Sequence, residues 1–160
     1  MFFRIGLHQE IAVRAEHEDT DVTALMAIAR CQDLNILAMR SYCDRDGVVL
    51  SLVTNDPRKT ARLLERFGYR CGTSPVVLIG PLARRGWAMP LREELEASGV
   101  SVKYWYAHRA ESGQHFIVIK TAEDKRALEI LQANHTLARV LSPALVAFEA
   151  AEPDMRELAA

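Results

Sequence analysis

One unit occurs twice in this chain. Gln32-Asp33-Leu34-Asn35-Ile36 returns as Ser98-Gly99-Val100-Ser101-Val102, and Val49–Thr54 returns as Phe116–Thr121. Thr60-Ala61-Arg62-Leu63-Leu64 returns as Ala127-Leu128-Glu129-Ile130-Leu131, so the displacement holds at 66 or 67 positions. Ser74-Pro75-Val76-Val77 recurs as Ser142-Pro143-Ala144-Leu145. A period of this length is too long for one turn of a solenoid and fits a duplicated small domain. Each copy, at roughly 70 residues, is near the size where one core alone is marginal. The copies are therefore expected to pack on each other or on a partner chain. Small ligands favour interfaces between units, so the repeat also indicates where to look for function.

Local patterns place the elements. Glu10–Ala15 alternates polar and apolar and reads as a strand. Glu16–Asp21 reads as an acidic loop with Thr20 and Asp21 as candidate N-caps. Val22, Leu25, Met26 and Ile28-Ala29 follow with helical spacing as far as Gln32. Asn35–Asp44 and Val48–Thr54 read as strands around an Asp46-Gly47 hairpin signal. Asp56 caps and Pro57 begins a second helix, with Ala61, Leu63-Leu64 and Phe67 as its apolar face and Gly68 as its end. Tyr69–Ser74 is a short fourth strand.

The second copy keeps this order. It has a strand at Val76–Gly80, a longer loop at Leu82–Met89, and a helix at Pro90–Ser98 ended by Gly99. Strands Val100–His108 and His115–Lys120 flank Glu111-Ser112-Gly113, and a helix spans Asp124–Ala133. Leu137–Leu141 and Ala144–Glu149 are the final strand candidates, and the Ala- and Glu-rich tail reads as helical or frayed. Each half is thus βαββαβ, an α+β ferredoxin-like unit with a four-stranded antiparallel sheet and two helices on one face. The predicted division is 1–75, 76–149 and a tail at 150–160.

Charge and composition narrow the function. Twenty Lys and Arg against 21 Asp and Glu leave a net charge of −1, which gives no general attraction to nucleic acid or anionic lipid. Cys31, Cys43 and Cys71 show no CxxC spacing, the pattern of reduced thiols in a cytoplasmic protein. Met1-Phe2-Phe3-Arg4 is too short for a signal peptide, and no apolar run is long enough for a bilayer. A cytoplasmic, soluble protein is expected.

The five histidines show no HxxxH or HExxH spacing; His108 and His115 read as a cross-strand pair rather than a metal site. There is no nucleophile elbow, P-loop or dinucleotide fingerprint, so no catalytic residue and no cofactor is assigned. Tyr104 and Tyr106 should face one side of their strand and Trp105 the other, packing on helices on one side and at an interface on the other. RNA-recognition modules share the βαββαβ order but display aromatics on their central strands. Val48–Thr54 has none.

These residues resemble a tandem ACT-domain protein, the small ligand-sensing module of amino-acid metabolism. Gly99–Ala107 is similar to the family's "GINIEYMYA" strand. Phe116–Thr121 followed by Glu123–Leu131 is similar to its strand and "EDPEKALEIL" helix. Asp33-Leu34-Asn35-Ile36 and Asn55–Ala61 occupy matching places in the first half, and the resemblance spans residues 9 to 145. It implies a regulatory protein that is not an enzyme. Such a protein binds a free amino acid between its halves, forms a homodimer, and either stands alone or docks on a metabolic enzyme; a tandem that has kept only its structural role is a further reading.

In that family a "DRPGGL" loop lets the ligand approach the start of the first helix, and an Asn from an "NI" pair of a neighbouring domain reaches the same ligand. Both halves of this chain depart from the pattern. The first has His17–Val22 without glycine or proline but keeps Asn35; the second keeps Gly86 within Arg84-Arg85-Gly86-Trp87 but has Ser101. The losses are complementary. The expected site is composite, with Arg84, Arg85, Gly86 and Trp87 facing Asn35 and Ile36, the arginines suiting a carboxylate. An exposed loop and a strand-entry turn are equal readings of the same residues. The reciprocal set, Asp19, Thr20 and Asp21 with Ser101 and Val102, would repel an anion and reads as degenerate.

Overall fold

The computed structural model describes residues 4–15, 18–82 and 88–133. Their order is β1 (Arg4–Ala15), α1 (Glu18–Cys31), β2 (Ile36–Asp44), β3 (Gly47–Thr54), α2 (Pro57–Arg66), β4 (Cys71–Leu82), α3 (Ala88–Ala97), β5 (Val102–Arg109), β6 (His115–Thr121) and α4 (Asp124–Ala133). All six strands form one antiparallel sheet in the order β2-β3-β1-β4-β6-β5. The α+β class and the doubled βαββαβ plan are those expected. The candidate strands Leu137–Leu141 and Ala144–Glu149 and the tail lie outside the described residues.

The duplication is visible at the level of single hydrogen bonds. α1 ends with Leu34 N–H donating to Ala29 O, and α3 ends with Val100 N–H donating to Leu95 O. Between them sit Asp33 (φ 53°) and Gly99 (φ 76°), equivalent positions in the left-handed region that this helix stop requires. β2 and β5 each carry an irregularity at the same place, between Ile36 and Ala38 and between Val102 and Tyr104. Asn55 N–H donates to Asn35 O, as Ala122 N–H does to Ser101 O. At α2, Asp56 accepts from Lys59 N–H with Pro57 in the first turn, as its sequence implies.

Three expectations need correction. The first strand is not confined to Glu10–Ala15 but starts at Arg4. α1 begins at Glu18, so Thr20 and Asp21 lie inside its first turn rather than in a capping loop. Tyr69–Ser74 and Val76–Gly80 are not separate strands: β4 runs unbroken from Cys71 to Leu82, and the 75/76 division falls within it.

The first and third corrections share a cause. Residues 10–13 of β1 pair with residues 71–74 of β4, while Arg4–His8 pair with Gly80–Val76. The N-terminal half of β1 therefore fills the fourth-strand position of the second unit. Two four-stranded sheets become one six-stranded sheet through two shared long strands.

Strand alternation sorts the side chains. One face carries both helix-covered cores: Ile11, Val13, Leu50 and Leu52 with Leu25 and Leu64, then Val77, Ile79, Ile117 and Ile119 with Leu91, Leu95 and Leu131. Trp105 packs on the second of these. All four helices thus lie on this face. The other face has no helix among the described residues, yet Val53, Val76, Leu78, Val118 and Phe116 on it are buried. They are buried because the sheet curls. β2 and β5, at opposite edges of the hydrogen-bonded order, come into contact, and Ala38 packs with Ala110 and Phe116. Arg30 at the end of α1 also pairs with Glu111 in the β5–β6 turn.

Candidate functional site

Curling encloses a row of polar side chains that alternation alone assigns to solvent. Glu10 of β1 is only 3% exposed. Tyr106 Oη–H donates to its Oε1 at 2.8 Å, and Tyr104 Oη–H donates to its Oε2. These bonds span the interior, since β4 and β6 lie between β1 and β5 in the sheet. From the opposite edge, β2 supplies Arg40. Its guanidinium carbon lies 3.9 Å from the centre of the Tyr104 ring, 4.6 Å from Tyr42 and 5.0 Å from Tyr106. A cation on desolvated rings is held by about 2 kcal/mol, and each hydrogen bond to a charged acceptor by about 1.5–3 kcal/mol.

Both phenols are pushed well above the ordinary tyrosine pKa. Burial is the first cause for each; the Glu10 hydrogen bond follows for Tyr104 and the Glu10 charge for Tyr106. They are donors, held protonated, rather than acids poised to ionise. The inner face thus gathers a buried carboxylate with a guanidinium and two neutral phenols that are partly buried, and buried Ser51 (1% exposed) and partly buried Ser74 on the neighbouring strands. At the rim, Arg14 pairs with Asp44 across β3 at 2.9 Å, and Arg14 holds the Asp44 carboxyl below its usual range. That pair is exposed and contributes little.

Of the residues chosen from the sequence, Asn35 and Ile36 lie at the entry to β2. Asn35 is exposed at the entry to β2, its backbone N–H donating to Asn55 Oδ1 at 2.9 Å. Ile36 is buried with Ala29 and Leu34, so its side chain serves the core beneath α1. Arg84, Arg85, Gly86 and Trp87 lie outside the described residues. They follow Leu82, which pairs with His115 at the head of β6. Because Ala38 packs on Phe116, the entry to β2 and the exit of β4 lie at the same end of the curled sheet.

Ser101 and Val102 occupy the corresponding entry to β5; Ser101 is exposed and Val102 packs against the second core. Asp19, Thr20 and Asp21 belong to the first turn of α1. His108 pairs with Phe116 and His115 with Arg109, so the two histidines are not the cross-strand partners expected. Among the described residues there is no group of three potential metal ligands, and no helix is long and apolar enough to cross a membrane. The three cysteines are free.

Sequence reasoning separated Tyr104 and Tyr106 from Trp105 correctly but missed Glu10 and Arg40. The available signal was Arg40 itself, a charge on the same face of β2 as Ala38.

No protein-family model matches the sequence, and no curated protein matches it. Solved structures do match the fold. Protein BT0572 from Bacteroides thetaiotaomicron superposes with a TM-score of 0.63 at 18% identity, covering 80% of this chain and 88% of that one. The ligand-free regulatory subunit of aspartate kinase from Thermus thermophilus superposes with a TM-score of 0.52 at 10% identity, covering 80% and 94%. The alpha and beta subunits of an aspartokinase give 0.52 at 12% identity, covering 79% and 93%. The chain has a tandem ACT-like fold, shared with the regulatory subunit of aspartate kinase from Thermus thermophilus.

Proposed function

We propose that this chain is a non-catalytic regulatory protein that senses a free amino acid at the junction of its two ACT-like units, 1–75 and 76–149. The supporting observation is the closed seam. It sets the entry to β2, with Asn35, at the same end as the exit of β4, from which the Arg84–Trp87 segment departs. In this reading the arginines take the ligand carboxylate, Asn35 supplies a polar contact, and the degenerate Asp19–Asp21 and Ser101–Val102 set binds nothing. A ligand touching both units favours one arrangement of the seam over another, which is the requirement for a sensor.

A cytoplasmic homodimer fits the thiol usage. The fold likeness to chains that are themselves regulatory subunits also suggests docking on a separate metabolic enzyme, tested by ligand-dependent co-purification.

The central test is a thermal-shift screen of the full chain against all free amino acids. A ligand at 100 times its Kd adds about 2.7 kcal/mol, or roughly 5–10 °C for a domain of this size. Asn35→Ala and Gly86→Trp should each abolish the shift. No shift with any amino acid, or a shift that survives both substitutions, would overturn the composite site.

A further inference from the structure

On the helix-bearing face of the sheet, the two shared strands are incompletely covered. Gln9 and Pro75, which pair directly, are exposed, as is Thr73 opposite Ile11, and Leu7 is 39% exposed. Along α2 this leaves an open groove of about 580 Å³, floored by Gln9 and Thr73 and walled by Arg58, Ala61, Arg62 and Glu65. The wall is basic. Arg58, Arg62 and Arg66 are exposed and follow one another a turn apart along α2. Lys59 and Arg70 add two more cations against the single carboxylate of Glu65, so residues 58–70 carry +4 in a chain whose net charge is −1.

The helix itself does not require this charge. Like charges at i,i+4 weaken a helix, and Arg58 and Lys59 stand in the first turn, where the helix dipole favours acids. Among the described residues no carboxylate pairs with Arg58, Arg62, Arg66 or Arg70. The duplication supplies a control. At the displacement of 67, α4 has Lys125, Glu129 and Ala133 in the places of Arg58, Arg62 and Arg66. That helix covers its own unit without a basic row, so the row serves something besides folding.

We propose that the groove is a docking surface for an acidic segment, and that residues 149–157 of this same chain occupy it. Glu149, Glu152, Asp154 and Glu157 against Arg156 give this segment −3, the complement of the arginine row. The described chain ends near the groove: Gln132 Nε2 donates to Ile5 O, and Ile5 is four positions along β1 from Gln9, or about 13 Å. Residues 134–148, at up to about 3.5 Å each, can span more than that distance. Exposed ion pairs are individually weak, so a handful of them holds a separate peptide only at roughly millimolar concentration. A segment of the same chain is present at about that effective concentration without any partner, which favours the tail over an acidic region of another protein. Glu93, Glu94 and Glu96 form another acidic run, but they belong to α3, which is anchored on the sheet by Leu91 and Leu95. The docked tail screens the arginine row, and any acidic partner must first displace it. None of this rests on the proposed amino-acid site.

The test is NMR of the full chain labelled with 15N-arginine, following the Nε–H signals of Arg58 and Arg62, assigned by their disappearance in Arg58→Lys and Arg62→Lys. At low salt these signals should differ between the native chain and a full-length variant carrying Glu149→Gln, Glu152→Gln, Asp154→Asn and Glu157→Gln. Salt at about 1 M, which cuts the reach of charge to about 3 Å, should erase the difference. A synthetic peptide of residues 149–157, added to the variant, should return the signals saturably toward their native positions at roughly millimolar concentration. Hexaglutamate, the probe for an acidic partner, should bind the native chain at least about twofold more weakly than the variant, because the tail competes for the groove. Lys125→Gln, at the equivalent place in α4, should change none of these responses. The proposal is overturned if native and variant signals coincide at low salt, if their difference grows with protein concentration, which would make a second copy the occupant, or if hexaglutamate binds both chains equally.

Discussion

Tyr106→Phe isolates one bond of the closed seam. The phenol reaches Glu10 at 2.8 Å, and Glu10, at 3% exposure, has almost no water with which to replace it. A hydrogen bond to a buried charged acceptor is worth about 1.5–3 kcal/mol, so a loss of about 2 kcal/mol is expected. With a urea m-value of about 2 kcal/mol/M for a small domain, the midpoint should fall by about 1 M with the slope unchanged. In a Glu10→Gln background the same substitution should cost less, giving a coupling of about 1 kcal/mol or more in the double-mutant cycle. If β2 and β5 stood apart in solution, the phenol and carboxylate would be hydrated, and the cost would fall below about 0.5 kcal/mol with no coupling. That result would refute the enclosed seam and the inferences built on it.

Further perturbations test other levels of the structure. Both partly buried phenols hold their protons above the ordinary tyrosine pKa. Above about pH 10 the unfolded chain releases protons that the folded chain keeps, so stability is full below that pH and falls as pH rises, by up to about 1.4 kcal/mol per unit per phenol; urea midpoints between pH 8 and 11 should show this and flatten in Tyr104→Phe/Tyr106→Phe. Gly80→Ala would place a Cβ 2.5 Å from Phe116 Cδ1 and 3.0 Å from the His115 carbonyl oxygen, and should cost about 2 kcal/mol or more in the same assay. Asp33→Gly, which relieves a positive φ of 53°, should gain about 0.5 kcal/mol, while Gly99→Asp at the equivalent place should lose about 1 kcal/mol. Cleaving the chain between Pro75 and Val76 should leave neither fragment folded alone in circular dichroism, because each would lose half of β4 and the second would also lose Arg4–His8; a cooperative transition in either fragment would contradict the shared-strand description.

The elements that were legible in the sequence carry their own punctuation. Asp56-Pro57, Gly68, Gly99 and the hairpin at Asp46-Gly47 each fix a local geometry through one or two residues, and for Gly99 the repeat supplies an equivalent at Asp33. Arg4–Gln9 was illegible because Ile5 and Leu7 alternate with only Gly6 and His8, too short a pattern to indicate a strand without the β4 partner some 70 positions away. The inner-face cluster was hidden for a different reason. His8, Glu10, Ala12 and Arg14 form the polar phase of an amphipathic strand, and only curvature of the whole sheet turns that phase inward. Asn35 could be placed at a strand entry from the repeat alone, but the nearness of that entry to the exit of β4 depends on that same curvature.

The shared strand also orders events during synthesis. Ile5 sits against the second core, and its carbonyl accepts from Gln132 Nε2 at 3.2 Å, across 127 positions of chain. A ribosome adds roughly 5–20 residues per second, so β1 waits on the order of ten seconds before the helix that covers it exists. Contacts of such sequence separation slow folding. Until β4 is made Ile5 and Leu7 have no strand partner, and until α4 is made Ile5 lacks its helical cover, so a helper protein that recognises short extended apolar segments would find one there.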